Sequence, residues 1–296
     1  MSTPPDPIPD TSSPALPAVL EEIVVFKRSE IDRDRAAESI EALEAKIADR
    51  EPSRDFFGAL VRSGEELSTA GTRVIAEIKR RSPSAGLIRP EYAQDGFKPE
   101  LIAQQYSNAG ASAISCLTDE KFFGGSLRFM DRIRAAVDLP IIRKDFILDP
   151  YQITQARAYG ADAVLLIAEC LDDAQIRDLL DHAHALDLSV LLEVHSKDNL
   201  LRVEPIIKAC KSDRVLLGIN NRDLTKMITS LTHTTDLLDL VDDRTKLVSE
   251  SGIKASTDLA HLRSHGVRIA LVGEHLMRQP HPGDALSALL AEPEKG

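Results

Sequence analysis

A chain of 296 residues with 43% hydrophobic residues has the material for one large domain or two small ones, and for a sizeable core. Its net charge of −11 argues against non-specific nucleic-acid binding, because a phosphate backbone repels it, although a local basic pocket for an anion stays open. No apolar run approaches the length of a membrane span, and Asp6 and Asp10 precede any Arg, so neither a secretory signal nor a transit peptide is read and a cytoplasmic protein is the expectation.

Residues 1–17 are rich in Pro, Ser, Thr and Asp and cannot bury enough surface to offset their ordering entropy, so a disordered tail is expected. Residues 18–35 place Leu20, Ile23, Val24 and Ile31 at helical spacing, and two further helices are predicted over 38–48 and 53–62. They form a helical extension, 18–70, of a single domain that runs to residue 296.

From Val74 onward, short apolar runs alternate with amphipathic helical stretches. The runs predict strands over 74–79, 113–117, 140–144, 163–168, 189–194, 216–220, 246–250 and 268–272. Helices are predicted over 101–109, 127–137, 151–159, 173–186, 235–241, 257–264 and 284–290, with another over 196–210 interrupted near Pro205. This alternation implies parallel strands joined by right-handed crossovers. The strands recur about every 28 residues, near one β-α unit, and about eight units fit an α/β fold of the (β/α)8 TIM barrel type with an N-terminal helical extension. An open doubly wound sheet is the alternative. Its Gly-rich fingerprint is missing after the first strand, where Ser82-Pro83-Ser84 makes a turn.

Along 74–79, Glu77 and Lys79 share one face, and the apolar flanks point that face into a core. An acid and a base aimed into a core are costly unless they pair or work. A structural ion pair is one reading of them. Barrel active sites lie at the C-terminal strand ends, and those ends supply further polar groups: Arg143-Lys144-Asp145, Glu193 with His195, Asn220-Asn221-Arg222, Glu250-Ser251-Gly252 and Gly273-Glu274. A capped or paired strand end explains any one of these; for the set, the coincidence must repeat at one register. Ser251-Gly252 and Gly273-Glu274 follow the seventh and eighth strands, where backbone N–H groups and a short helix N-terminus often bind phosphate. Glycine there lets the backbone approach the anion, while Glu274 would repel it unless turned away.

Cys116, Cys170 and Cys210 are far apart, lack C-x-x-C spacing and lie in or beside apolar runs, so they are read as buried thiols. The eight histidines do not cluster, and His182 and His184 splay from a helix. No metal site is expected.

The string Glu77-Ile78-Lys79-Arg80-Arg81-Ser82-Pro83-Ser84 resembles the signature of the indole-3-glycerol phosphate synthase family, the ring-closing enzymes of tryptophan biosynthesis. Similar segments follow in order: Leu117-Thr118-Asp119 with Phe123-Gly124-Gly125-Ser126, Arg143-Lys144-Asp145-Phe146, Leu192-Glu193-Val194-His195, Gly218-Ile219-Asn220-Asn221-Arg222-Asp223-Leu224, Ser249-Glu250-Ser251-Gly252-Ile253, and Leu271-Val272-Gly273-Glu274-His275-Leu276-Met277. The similarity covers roughly residues 19–290, the helical preface included.

The resemblance implies a carboxy-lyase whose small-molecule substrate is 1-(o-carboxyphenylamino)-1-deoxyribulose 5-phosphate. The indole ring closes, then carbon dioxide and water leave. It implies Lys144 as general acid, Glu193 as base, and Lys79 as the group that holds the substrate carboxylate and assists proton transfer. Glu77 is expected to orient the lysines, Asn220 the sugar hydroxyls, and Glu250 completes the carboxylate set. Ser82, Arg222, Ser251, Gly252, Gly273 and Glu274 match binding positions, with the phosphate mainly at the last four. Phe146 is expected to pack on the anthranilate ring. Desolvation or nearby cations lower a lysine pKa, and this is expected of Lys144. No cofactor, metal, nucleic acid or membrane is implied, and contact with other enzymes of the pathway stays open.

The chain departs from the family pattern at Ala85, where a basic residue is frequent, at Lys226-Met227 in place of Thr-Phe, and at Gly273-Glu274-His275 in place of a Gly-Ser-Ser form. None of these removes a proposed catalytic group. Two other readings stay open: a Schiff-base aldolase using Lys144 or Lys79, and a non-catalytic barrel that binds a sugar phosphate or a partner. A phosphoribosyl isomerase would need a Cys/Asp pair, and the first strand carries no Cys.

Overall fold

The structure, a computed structural model, describes residues 17–61, 71–93, 96–223 and 228–293. The expected tail up to residue 16, the end of the third predicted helix at Arg62, and Lys226-Met227 lie outside the described residues.

Eight parallel strands form the centre: β1 Arg73–Ile78, β2 Ala113–Leu117, β3 Ile141–Lys144, β4 Ala163–Ile167, β5 Ser189–Val194, β6 Val215–Asn220, β7 Leu247–Glu250 and β8 Ile269–Val272. β1 hydrogen-bonds β2 on one side and β8 on the other, with Arg73 opposite Ile269 and Ala76 opposite Val272, so the sheet closes on itself. Closure removes the open-sheet alternative. Alternation along β1 sends Val74, Ala76 and Ile78 outward into the helix-packing core. Ile75 faces inward with Ala113, Ile142, Leu165, Leu191, Leu216, Val248 and Ile269. Glu77, two residues on, stands above that apolar layer at the C-terminal mouth.

The extension contributes α1 Ala18–Ala37, α2 Ile40–Ala48 and α3 Phe56–Val61. The barrel adds α4 Pro99–Asn108, α5 Glu120–Phe123, α6 Arg128–Ala136, α7 Pro150–Ala158, α8 Asp173–Ala185, α9 Lys197–Ala209, α10 Thr232–Asp236, α11 Ser256–Ser264, α12 Glu274–Met277 and α13 Pro282–Leu290. Capping boxes start α7, through Asp149 and Gln152, and α8, through Asp172 and Gln175. The break predicted near Pro205 does not occur. Leu200, Val203 and Ile206 are buried on both sides of the proline, and that packing outweighs the lost N–H bond. In place of a helix over 235–241, α10 ends at Asp236 and a tight turn, Leu238–Leu240, follows. Its start is fixed earlier, because the Thr234 N–H and hydroxyl both donate to Asn221 Oδ1 at the end of β6. Cys116 is buried as expected, but Cys170 and Cys210 are only half-buried at the edge of the core; all three are free thiols.

The extension grips both ends of the barrel. Below, the Arg54 backbone N–H donates to Asp162 Oδ1, its guanidinium donates to the Val137 and Leu139 carbonyls, and Phe56 and Leu60 enter the interior cluster. Above, α1 lays Leu20 and Ile23 over the mouth. The buried Lys27 of α1 holds it there, with Nζ 2.8 Å from each of Glu30, Asp119 and Asp145.

Candidate active site

The strand ends and α1 enclose a cavity of about 540 Å³ at the C-terminal mouth. It is lined by Glu77, Lys79, Ser82, Lys144, Phe146, Glu193, Asn220, Arg222, Glu250, Ser251, Gly252, Gly273 and Glu274. Every candidate residue named from the sequence therefore meets in one place. Barrel register explains the polar floor: Glu193 lies beside Gly218, and Asn220 beside Glu250.

Lys144 Nζ is the hub. It donates to Glu193 Oε2 at 2.8 Å and to Glu250 Oε2 at 2.6 Å. A lowered lysine pKa, the expectation from sequence, is reversed. Burial works to lower it, but the charges of Glu193, Glu250 and Glu77 outweigh burial and hold the ammonium protonated. Burial would likewise raise Glu193, yet Lys144, His195 and hydrogen bonds from Lys144 and Asn220 hold it down to about 2. Glu250 goes the other way: burial and the Glu193 charge push it up to about 8, against the pull of Lys144. Around neutral pH the two carboxyls thus carry one charge and one proton.

Glu77 Oε1 accepts from Lys79 Nζ at 2.6 Å, and both side chains are buried. Glu77 orients Lys79 directly and reaches Lys144 only through its charge. Asn220 is engaged at both ends, donating to Glu193 Oε1 at 3.0 Å and accepting from the Arg222 N–H at 3.0 Å. Its expected hold on sugar hydroxyls would require one of these bonds to be shared or exchanged. Phe146 is buried at the rim with its ring centroid 6.1 Å from that of Phe123, which leaves an apolar wall for an aromatic ring.

On the other side, Ser251 and Gly252 both take left-handed backbone conformations, at φ 67° and 84°. Asn221 props this turn by donating to the Ser251 carbonyl at 3.0 Å. Gly273 has a second use that the sequence did not suggest: a Cβ there would sit 2.3 Å from Glu77 Oε1, so its bareness makes room for the carboxylate. Glu274 does not stand as an unpaired anion. Arg222 and Arg278 donate to its two oxygens at 3.0 and 2.8 Å and keep it below the usual carboxylate range against burial. Arg222 also donates to Ser84 Oγ at 3.0 Å, joining the loop after β1 to the end of β8. Ser82 Oγ is buried and accepts from the Ala85 N–H at 3.2 Å. Arg222, Arg278 and Lys254 bring basic side chains to the cavity wall, the first two paired with Glu274.

Sequence reasoning gave no role to His195, Glu169, Lys27, Gly218 or Arg278. The signal for Lys27 was its place on the apolar face of α1, one helical turn from Ile23 and Ile31. Among the described residues, no group of His, Cys, Asp and Glu is arranged to hold a metal, and no helix is long and apolar enough to cross a membrane.

A family model described as indole-3-glycerol phosphate synthase matches residues 20–289. The chain belongs to the indole-3-glycerol phosphate synthase family. Relatives bearing that name include one from Rhodopirellula baltica, 47% identical, covering 92% of this chain and 99% of the relative. Synthases from Burkholderia ambifaria and Acidithiobacillus ferrooxidans are each 43% identical over 92% of this chain and 98% of theirs. Among solved structures, a tryptophan synthase alpha-subunit from Pyrococcus furiosus aligns at TM-score 0.56 and 13% identity, covering 74% of this chain and 98% of its own. A 3-hexulose-6-phosphate synthase from Salmonella typhimurium aligns at 0.57 and 11%, covering 74% and 96%. At these identities the solved structures share the barrel alone, and the synthase family assignment stands on the sequence relatives.

Proposed function

We propose that this chain converts the carboxyphenylamino-deoxyribulose phosphate to indole-3-glycerol phosphate by ring closure, decarboxylation and dehydration. The observation that carries this reading is Lys144 Nζ held 2.8 Å from Glu193 Oε2 and 2.6 Å from Glu250 Oε2 beside an apolar wall. Attack of the arene on the ketone puts negative charge on the ketone oxygen, and Lys144 is the group to meet and protonate it. Its high pKa matches an acid that stays charged until an alkoxide, a far stronger base, forms beside it. Lys79, steadied by Glu77, pairs with the substrate carboxylate until it leaves as carbon dioxide. On dehydration Glu193 takes the anilino proton, and a proton drawn from Glu250, whose pKa is raised, lets the hydroxyl leave as water.

Phe146 packs on the anthranilate ring, and Asn220 meets the sugar hydroxyls. The phosphate lies against the backbone of Ser251, Gly252 and Gly273, with Ser82 and Arg222 turned toward it. Glu274 shares Arg222 with the phosphate instead of binding the anion itself. Each step uses side chains alone, so no cofactor is called for. The reading places the work in the cytoplasm, and contact with other tryptophan-pathway enzymes is an expectation of the pathway, not of a particular surface.

A Schiff-base aldolase is disfavoured because Lys144 is clasped by two carboxyls, which keep its amine protonated and poorly nucleophilic, and Lys79 Nζ is tied to Glu77 at 2.6 Å. The test is to add the substrate and follow indole fluorescence, with borohydride in a parallel reaction. The expected result is a fluorescent product and no covalent adduct. A trapped lysine adduct without indole overturns the reading.

A further inference from the structure

The two carboxyls that share Lys144 are not equivalent, and the difference comes from side chains outside the site as read from the sequence. Glu193 is met on Oε2 by Lys144, and on Oε1 by Asn220 at 3.0 Å and His195 Nε2 at 3.2 Å. Glu250 meets Lys144 through Oε2, while its Oε1 is buried without a donor. Lys144 touches both carboxyls and lies slightly nearer Glu250, so it does not favour Glu193, and Asn220 gives Glu193 a hydrogen bond but no charge. Among the described residues, His195 is the cationic side chain in contact with one and not the other.

Glu169, in the turn Ala168–Cys170 after β4, is built to hold His195. Its Oε2 lies 3.0 Å from His195 Nδ1, and its Oε1 accepts from the His195 backbone N–H at 2.8 Å and from Asn199 Nδ2 at 2.9 Å. Ring and backbone are thus gripped by one carboxylate. With carboxylate oxygens facing both ring nitrogens and a side chain only 8% exposed, the imidazolium is the form that satisfies its surroundings. Burial opposes that charge, and Glu169 and Glu193 outweigh burial to raise the ring's pKa. Nε2 makes no aligned hydrogen bond, so the ring acts on Glu193 mainly as a charge. The other charged or titratable neighbours are Glu250 on β7, Lys144 on β3, and His233 on α10, whose Nε2 lies 3.1 Å from the His195 carbonyl oxygen.

We propose that His195, held as a cation by Glu169, is the positioning residue that makes Glu193, rather than Glu250, the ionised base of this site. The inference rests on the assignment of Glu193 as base, and it adds what fixes that choice. Glutamine at position 195 would keep a donor near Nε2 but carry no charge. Glutamine at position 169 would leave the ring in place but remove the charge that keeps it protonated.

The test is carboxyl NMR of isotope-labelled enzyme, with the Glu193 and Glu250 signals assigned by Glu193→Gln and Glu250→Gln. Wild type, His195→Gln and Glu169→Gln are titrated without substrate. In both variants the Glu193 titration is expected to move up by about one pH unit or more, and the Glu250 titration down. The acid limb of kcat should move to higher pH in step, because the base must be ionised to work. An unmoved Glu193 titration in folded His195→Gln overturns the proposal, as does a uniform loss of activity with unmoved pH limbs. If His195→Gln does not fold, Glu169→Gln decides on the same criterion. A moved titration in an enzyme that makes no indole upholds the positioning role and sinks the assigned reaction, so the two failures are read apart.

Discussion

Lys144 on β3 and Glu193 on β5 meet across the barrel mouth, with 2.8 Å between Nζ and Oε2. The strands are not neighbours; β4 lies between them. Such a contact exists only because the sheet is closed and its strand ends converge. If the pair carries acid and base roles, Lys144→Ala and Glu193→Gln each lower kcat by about 10²–10⁴. The double variant should fall little below the worse single one, because groups that act as a unit are not additive. Steady-state indole fluorescence checks this, and losses that multiply would separate the two roles.

Glu250 should leave a mark on the pH dependence of stability. Its folded pKa, about 8, lies above the ordinary 4.5 of a glutamate. A group raised in this way contributes stability that is complete below the unfolded pKa and is lost as pH rises through the folded one. Wild type should therefore lose thermal stability as pH rises from about 4.5 to about 8, and Glu250→Gln should lose less over the same range. Melting curves across that range give the comparison; parallel profiles would show that the burial of Glu250 is not what the pH reads.

Lys27 offers a stability prediction far from the chemistry. Its ammonium, 1% exposed, is within 2.8 Å of Glu30, Asp119 and Asp145. Lys27→Met leaves three carboxylates facing one another, with Arg143 on Asp145 as their remaining buried cation partner. Removing one partner of a buried ion pair costs about 3–5 kcal/mol. Urea denaturation should show a loss of that order, with KM raised as α1 loosens over the mouth. A near-neutral effect would mean that α1 is held by its apolar face alone.

Two glycines should tolerate no methyl group, for reasons of space and not of backbone strain. Gly273 has an ordinary φ of −129°, yet an added Cβ would stand 2.3 Å from Glu77 Oε1. At Gly218 it would stand 2.4 Å from Glu250 Oε1. Gly273→Ala is expected to push Glu77 off Lys79 and Gly218→Ala to push Glu250 off Lys144, each costing about 1–3 kcal/mol in overpacking. In kinetics, Gly273→Ala should chiefly raise KM, and Gly218→Ala should chiefly lower kcat. Wild-type values in either variant would show that the carboxylates have room to shift.

The strands were legible because their apolar runs are short, regularly spaced and bounded by polar ends, and Glu77 and Lys79 announced themselves as charges on an inward face. Pro205 misled because propensity is local, while Leu200, Val203 and Ile206 are held by the barrel. The pKa of Lys144 could not be read from the sequence, since its carboxyl partners come from β5 and β7, 49 and 106 residues away. His195 was visible beside Glu193, but its holder, Glu169, sits on another strand end and only the closed sheet joins them. Glu274 looked like an obstacle to phosphate until Arg222 and Arg278 were seen on either side of it.

The most direct measurement counts carbon dioxide and the indole product, indole-3-glycerol phosphate, from the same reaction mixture, supplied with the anilino-deoxyribulose phosphate, for wild type and Glu193→Gln. Wild type should release equal amounts of the two products. Glu193→Gln should release carbon dioxide ahead of indole, because ring closure and decarboxylation precede the dehydration that needs the base. A wild-type enzyme that yields neither product contradicts the account of this site, and a Glu193→Gln enzyme that yields both at the wild-type rate contradicts the role given to Glu193.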